Sequence, residues 1–175
     1  MLSWIVAIVV IIVLAVLILA ALRPSTFRIA REATIAAPPH SIFTLISDFR
    51  EWPKWSPWEK LDPELQRTIS GAAAGKGAIY EWRGNKKVGQ GRMEITHALP
   101  PRQIDIDLQF MAPWKAHNQT QFQLSPVGDS TTVTWAMTGT SPFMFRLMGL
   151  FMNMDNMIGK DFEKGLAAMK RVAET

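Results

Sequence analysis

From Leu2 to Leu22 the chain is apolar almost without a break, with Ser3 the only polar side chain and Leu, Ile or Val at fifteen positions. At ~1.5 Å per residue a helix over this run reaches ~31 Å, the thickness of a bilayer's hydrocarbon core. Abundant β-branching is no obstacle there, because a backbone in lipid must bond to itself. After Leu22 the pattern becomes alternation. Residues 27–35 alternate like a first strand. Pro38-Pro39 opens a short helix over residues 40–48, with Ile42, Phe43, Leu45 and Ile46 at its apolar positions. Residues 48–58 carry Trp52, Trp55 and Trp58 separated by Pro53 and Pro57, a spacing that predicts a broken or very short second helix. Strand patterns follow at 65–70 (weak), 78–83, 88–96, 104–110, 118–124 and 131–137, punctuated by Gly- and Pro-containing turns. The last pattern has helical period. Phe151, Met154, Ile158, Phe162, Leu166, Met169 and Val172 form one apolar stripe, which predicts a continuous helix over 145–173.

The chain thus divides into residues 1–22, an expected transmembrane anchor, and residues 23–175, one domain without internal repeats. A cleaved signal peptide fits the first segment less well: no basic residue precedes the run, the run exceeds ~7–15 residues, and Ala20-Ala21-Leu22 is not A-x-A. Arg23, Arg28 and Arg31 follow it. The positive-inside bias then puts the domain in the cytoplasm, as a single-pass membrane protein.

For the domain, the order of strand, two short helices, about six antiparallel strands and one long helix makes an α+β fold. A sheet with one apolar face must cover it, and the terminal amphipathic helix is the available cover, so the sheet should curl around that helix. Alternation assigns Tyr80, Trp82, Met93, Phe122 and Trp135 to the concave face. Asn118 and Thr120 share that parity among apolar neighbours. A buried amide or hydroxyl without a partner costs about 1–3 kcal/mol, so these two need protein, water or a ligand.

The residues Ala37-Pro38, the run Ser47-Asp48-Phe49-Arg50-Glu51-Trp52-Pro53-Lys54-Trp55-Ser56-Pro57-Trp58, the run from Tyr80 to Asn85 and the closing run from Met157 to Leu166 carry a resemblance. The chain resembles the START-like or SRPBCC helix-grip superfamily, shared with a major pollen allergen, in its bacterial polyketide cyclase/dehydrase-type branch. The resemblance implies a curved antiparallel sheet wrapped around a long C-terminal helix. It implies hydrophobic-ligand or lipid binding in many members, and no catalytic residue set maps onto this chain.

Composition narrows the chemistry. All 19 Lys+Arg and 15 Asp+Glu lie after residue 22, and the net +4 is too small and too interspersed to indicate nucleic acid. The absence of cysteine excludes disulfides, thiolate catalysis and iron–sulfur clusters. His40, His97 and His117 are scattered, with no HExxH, so no metal site is expected. Residues 71–77 lack the spacing and the Ser/Thr of a phosphate loop, no G-x-S-x-G elbow occurs, and Asp105 and Asp107 fall on the solvent face. No cofactor is called for.

The sequence therefore reads as a membrane-anchored protein holding a hydrophobic small molecule or lipid between sheet and helix. The ligand-lining candidates are Tyr80, Trp82, Met93, Asn118, Thr120, Phe122, Trp135, Phe151, Met154 and Ile158. Two other readings stay open. One is a cyclase- or dehydrase-like enzyme on an aromatic or polyketide-like substrate, with Tyr80 its sole candidate acid. The other is a protein-interaction module docking through the tryptophan segment or the basic hairpin of Arg83, Lys86, Lys87 and Arg92. That hairpin also suits anionic headgroups, and residues 141–151 are apolar enough to touch a bilayer. The three tryptophans are expected to clamp the short helices to the sheet.

Overall fold

The computed structural model describes residues 2–175. The chain opens with helix α1 (Leu2–Leu22), followed by strand β1 (Thr26–Ile35), helix α2 (Pro39–Ser47) and a 3-10 turn at Phe49–Lys54. Strands β2 (Gln66–Gly71), β3 (Ala78–Arg83), β4 (Gln90–Leu99), β5 (Gln103–Ala112), β6 (Ala116–Val127) and β7 (Ser130–Thr140) come next, then helices α3 (Phe143–Met148) and α4 (Met154–Ala173). The seven strands form one antiparallel sheet in the order β1-β7-β6-β5-β4-β3-β2. From β2 to β7 sequence neighbours pair by hairpins, and β7 pairs with β1, which leaves β1 and β2 at the two edges. Register shifts between Gln90 and Gly91 and between Ile95 and His97 break the β4–β5 ladder. Such irregularities bend a strand and raise its twist, which helps the sheet curl.

Alternation reads out directly in burial. Tyr80, Met93, Ile95, Ile104, Ile106, Leu108, Phe122, Leu124, Val133, Trp135 and Met137 all lie buried in one core, with Phe162, Leu166 and Met169 of α4 on its other side. On the opposite sheet face Asp107 accepts hydrogen bonds from Gln109 and Gln119 and pairs with His117, and Gln103 and Gln121 both donate to Asp105. Burial opposes ionisation of Asp107, but the bonds from His117, Gln109 and Gln119 outweigh it and hold the carboxyl below its usual range.

The tryptophans do clamp the short helices. The Trp52 indole donates to the Ile46 carbonyl at 2.9 Å and that of Trp55 to the Leu45 carbonyl at 2.8 Å. These carbonyls belong to the last turn of α2, which has no helical partners of its own. The Trp55 ring then stands edge-on to both Phe122 and Trp135 of the sheet.

One expectation needs correcting. The terminal helix is not continuous from 145 to 173; it is broken at residues 149–153 into α3 and α4. Asn153 causes the restart, its side chain accepting from the Asn156 N–H at 3.0 Å as an N-cap, with Asp155 in the first turn favouring the helix's positive end. The apolar stripe masked this capping signal. Arg31 of β1 fastens α4 to the sheet through ion pairs to Asp155 (2.9 Å) and Glu163 (2.8 Å). Gly159 permits it: a Cβ there would lie 2.0 Å from the Arg31 guanidinium.

Candidate functional site

The candidate residues fall into three groups. Tyr80, Met93, Asn118, Thr120, Phe122 and Trp135 lie on the concave face of the sheet and are buried. Trp82 and Ile158 are half-buried and pack against that core, Trp82 donating its indole N–H to the Val88 carbonyl at 3.0 Å. Met154, in the first turn of α4, is half-buried at the margin. Phe151 is a correction: it lies in the break between α3 and α4 and is 76% exposed, away from the interior. It joined the list only as a member of a stripe assumed to be one helix.

Between sheet and α4 the space is filled. Trp135 and Phe162 stack face to face, 4.2 Å apart with 4° between their planes. Trp58 stands edge-on to both rings, and Phe122 lies 4.9 Å from Trp135. Gly165 makes the contact possible, since a Cβ there would sit 2.7 Å from the Trp135 ring. Two open grooves, of about 540 and 440 Å³, lie instead at the end of the sheet where β1 begins and β7 ends. Neither is lined by Trp135, Phe122 or Tyr80. Neither groove is the space between sheet and helix where the ligand is expected.

Polar groups inside are sparse. The Trp135 indole N–H is buried without a partner, although the residue is only 2% exposed. The Asn118 amide reaches no better acceptor than the Met137 sulfur at 3.7 Å. A well-made tryptophan in a core ordinarily finds a partner for its N–H. These atoms leave the interior with donor capacity that the protein itself does not use.

The Tyr80 hydroxyl is differently placed. It donates to Glu59 Oε1 at 2.5 Å, while Arg67 Nε donates to Glu59 Oε2 at 2.6 Å. Glu59 is 7% exposed, so a buried carboxylate is held by a phenol and a guanidinium together. Burial and then the bond to Glu59 push the Tyr80 phenol well above its usual range. A phenol so held is a poor proton donor to a substrate, which weakens the acid the sequence offered to an enzyme reading. Sequence reasoning missed Glu59 and likewise the buried Asp62, whose carboxylate accepts from the Asn85 N–H at 2.6 Å. Both follow the tryptophan segment in irregular chain, where no periodicity marks a residue as buried. Arg92 of the basic hairpin is occupied, paired with Glu94 at 2.7 Å, whereas Lys86 and Lys87 at the hairpin tip are exposed. Among the described residues no cluster of His, Asp and Glu could hold a metal.

Solved structures share this architecture. A Chromobacterium violaceum protein is 15% identical, with 87% of this chain and 99% of that one covered at a TM-score of 0.60. The Aha1 dimer from Colwellia psychrerythraea is 21% identical, with 85% and 96% covered at 0.59. A Mycobacterium smegmatis protein is 16% identical, with 83% and 89% covered at 0.56. At such identities the likeness shows the helix-grip fold alone. A search of curated proteins finds no match. The family profile described as polyketide cyclase / dehydrase and lipid transport matches residues 26–174, nearly everything after α1. The chain therefore belongs to the polyketide cyclase / dehydrase and lipid transport family.

Proposed function

We propose that the protein binds a hydrophobic small molecule or lipid between its sheet and α4, with α1 anchoring it in a membrane. The observation that carries the reading is the unpartnered Trp135 N–H in a largely apolar interior. An apolar pocket with a few unused polar groups is the usual form of a small-molecule site. Family membership supports the same substrate class. Ser3–Leu22 is long and apolar enough to cross a membrane and lies almost wholly uncovered by the domain. Tethering there would keep the domain beside an apolar ligand pool.

Because the interior is filled, entry requires α4 to move from the sheet. The break at residues 149–153 offers the hinge, and the Arg31 pairs to Asp155 and Glu163 hold the moving end. Asn118 and Trp135 then present donors to the ligand's polar end.

The test is to purify the full chain and, separately, α1 fused to an unrelated soluble carrier, and to identify compounds extracted from each by mass spectrometry. A stoichiometric apolar compound carried by the full chain and absent from the α1 control is the expected result. Identical lipid profiles from both would overturn the reading. The filled interior favours a second reading, a module whose partner is a protein. The polar convex face of the sheet offers such a partner no apolar patch.

A further inference from the structure

Strand register brings three separate loops to one end of the sheet. Thr26 pairs with Thr140 and Gly139 with Asn118, so the start of β1 and the end of β7 lie together. Phe110 pairs with Ala116, Gln90 with Ala112 and Arg83 with Gln90, which puts the β5–β6 and β3–β4 hairpin tips at that same end. The segment after β7 joins them. Arg146 of α3 donates to the Ala21 and Arg23 carbonyls at 3.1 and 3.2 Å, and Arg23 donates to the Gly149 carbonyl at 2.7 Å. The C-terminus of α1 is thereby bolted to α3.

This end exposes large apolar side chains. Trp114 at the β5–β6 tip is 71% exposed, and Phe143, Met144, Met148, Phe151 and Met152 are exposed around the helix break. The loop segments 84–89, 111–116 and 141–153 carry Lys86, Lys87, Lys115 and Arg146 and not one acidic residue. Apolar side chains interleaved with bases, with no acids, match the boundary between headgroups and acyl chains of an anionic bilayer. Distance enforces the contact. Only Arg23, Pro24 and Ser25 separate α1 from β1, a link of at most ~11 Å when fully extended.

We propose that this end of the domain seats on the membrane that α1 crosses, with Trp114, Phe151 and their neighbours in the interfacial layer and Lys86, Lys87 and Lys115 against anionic headgroups. The proposal rests on α1 as an anchor and does not involve the interior ligand. It assigns Phe151 a place facing lipid rather than lining the interior, and it makes the break between α3 and α4 a lipid-facing mouth.

The absence of cysteine allows single-site labelling. Nitroxide is attached to Phe151→Cys or Trp114→Cys, and to Val127→Cys at the opposite end, where Val127 pairs with Ser130 and is exposed. Each full chain is placed in vesicles of phosphatidylcholine with or without phosphatidylglycerol, and label accessibility to oxygen and to a water-soluble nickel complex is compared. Labels at 151 and 114 should favour oxygen and the label at 127 the nickel complex. Lys86→Gln/Lys87→Gln/Lys115→Gln should lower the seated-to-unseated ratio roughly a hundredfold in anionic vesicles, and little in neutral ones. Equal nickel accessibility at all three sites overturns the proposal. If the chain then still resists carbonate extraction, the anchor stands and only the seating fails; if carbonate strips it, the anchor fails too. Shielding that disappears at one copy per nanodisc would mean a second copy covers this face, which also overturns it.

Discussion

The two halves of the C-terminal helical region have opposite fates, and it is the half richer in large apolar residues that is left uncovered. From Ile158 onward, Phe162, Leu166 and Met169 are buried against Trp135 and α2. Between Phe143 and Met157 no large apolar residue is fully buried, and Phe143, Met144, Met148, Phe151, Met152 and Met157 are exposed. What differs is the partner. The second half has β1 and the Arg31 latch beside it, whereas the first packs mainly on the end of α1. An apolar stripe states that a face needs covering, and the rest of the molecule decides what covers it.

Substitutions can break this contrast in order of size. Phe162→Ala removes a ring stacked on Trp135 and should cost about 3–5 kcal/mol, read as a lower urea midpoint in tryptophan-monitored unfolding. Tyr80→Phe strips a hydrogen bond from the buried Glu59 carboxylate and should cost about 1–3 kcal/mol by the same assay. Gly165→Ala drives a methyl into the Trp135 ring, an overpacking cost of about 1–3 kcal/mol against a helix-propensity gain of ~1 kcal/mol, so a modest net loss is expected. Phe151→Ser, in the outward half, should stay within ~0.5 kcal/mol of the parent; a large loss there would show that the residue packs after all.

A pH experiment sharpens the boundary between the halves. The hydrogen bond from Arg31 holds the Asp155 carboxyl below its usual 3.8. A depressed carboxylate stabilises the folded state above its unfolded pKa, and that contribution fades as pH falls through the lower folded value. Both partners are near the surface, so the effect is small. Protection factors for hydrogen exchange in the first turns of α4 should fall below pH 4 while those of amides around Leu166 and Met169 hold.

Much of the fold was legible because alternation is a strong signal when one face of a sheet is covered. Tyr80, Met93, Phe122 and Trp135 were placed inward by parity alone and lie in the core. The resemblance carried by residues 47–58 and 157–166 supplied the topology that alternation could not. Three things escaped. The break before Met154 was hidden because Phe151 happens to keep the stripe's spacing. Glu59 and Asp62 sit in irregular chain, where burial leaves no periodic trace. Packing density between Trp135 and Phe162 depends on Gly165, and a glycine on a helix says nothing about which ring approaches it.

The three-residue connection between α1 and β1 limits what kind of carrier the proposed function could make of this protein. A domain on a long flexible arm could ferry cargo across an aqueous gap from one bilayer to another. On the proposed anchor, Arg23-Pro24-Ser25 allows no such excursion, and the Arg146 bonds to the end of α1 remove even the freedom to swivel. Such a protein works as a fixed station: cargo reaches it by lateral diffusion, and delivery depends on an acceptor coming to the same surface.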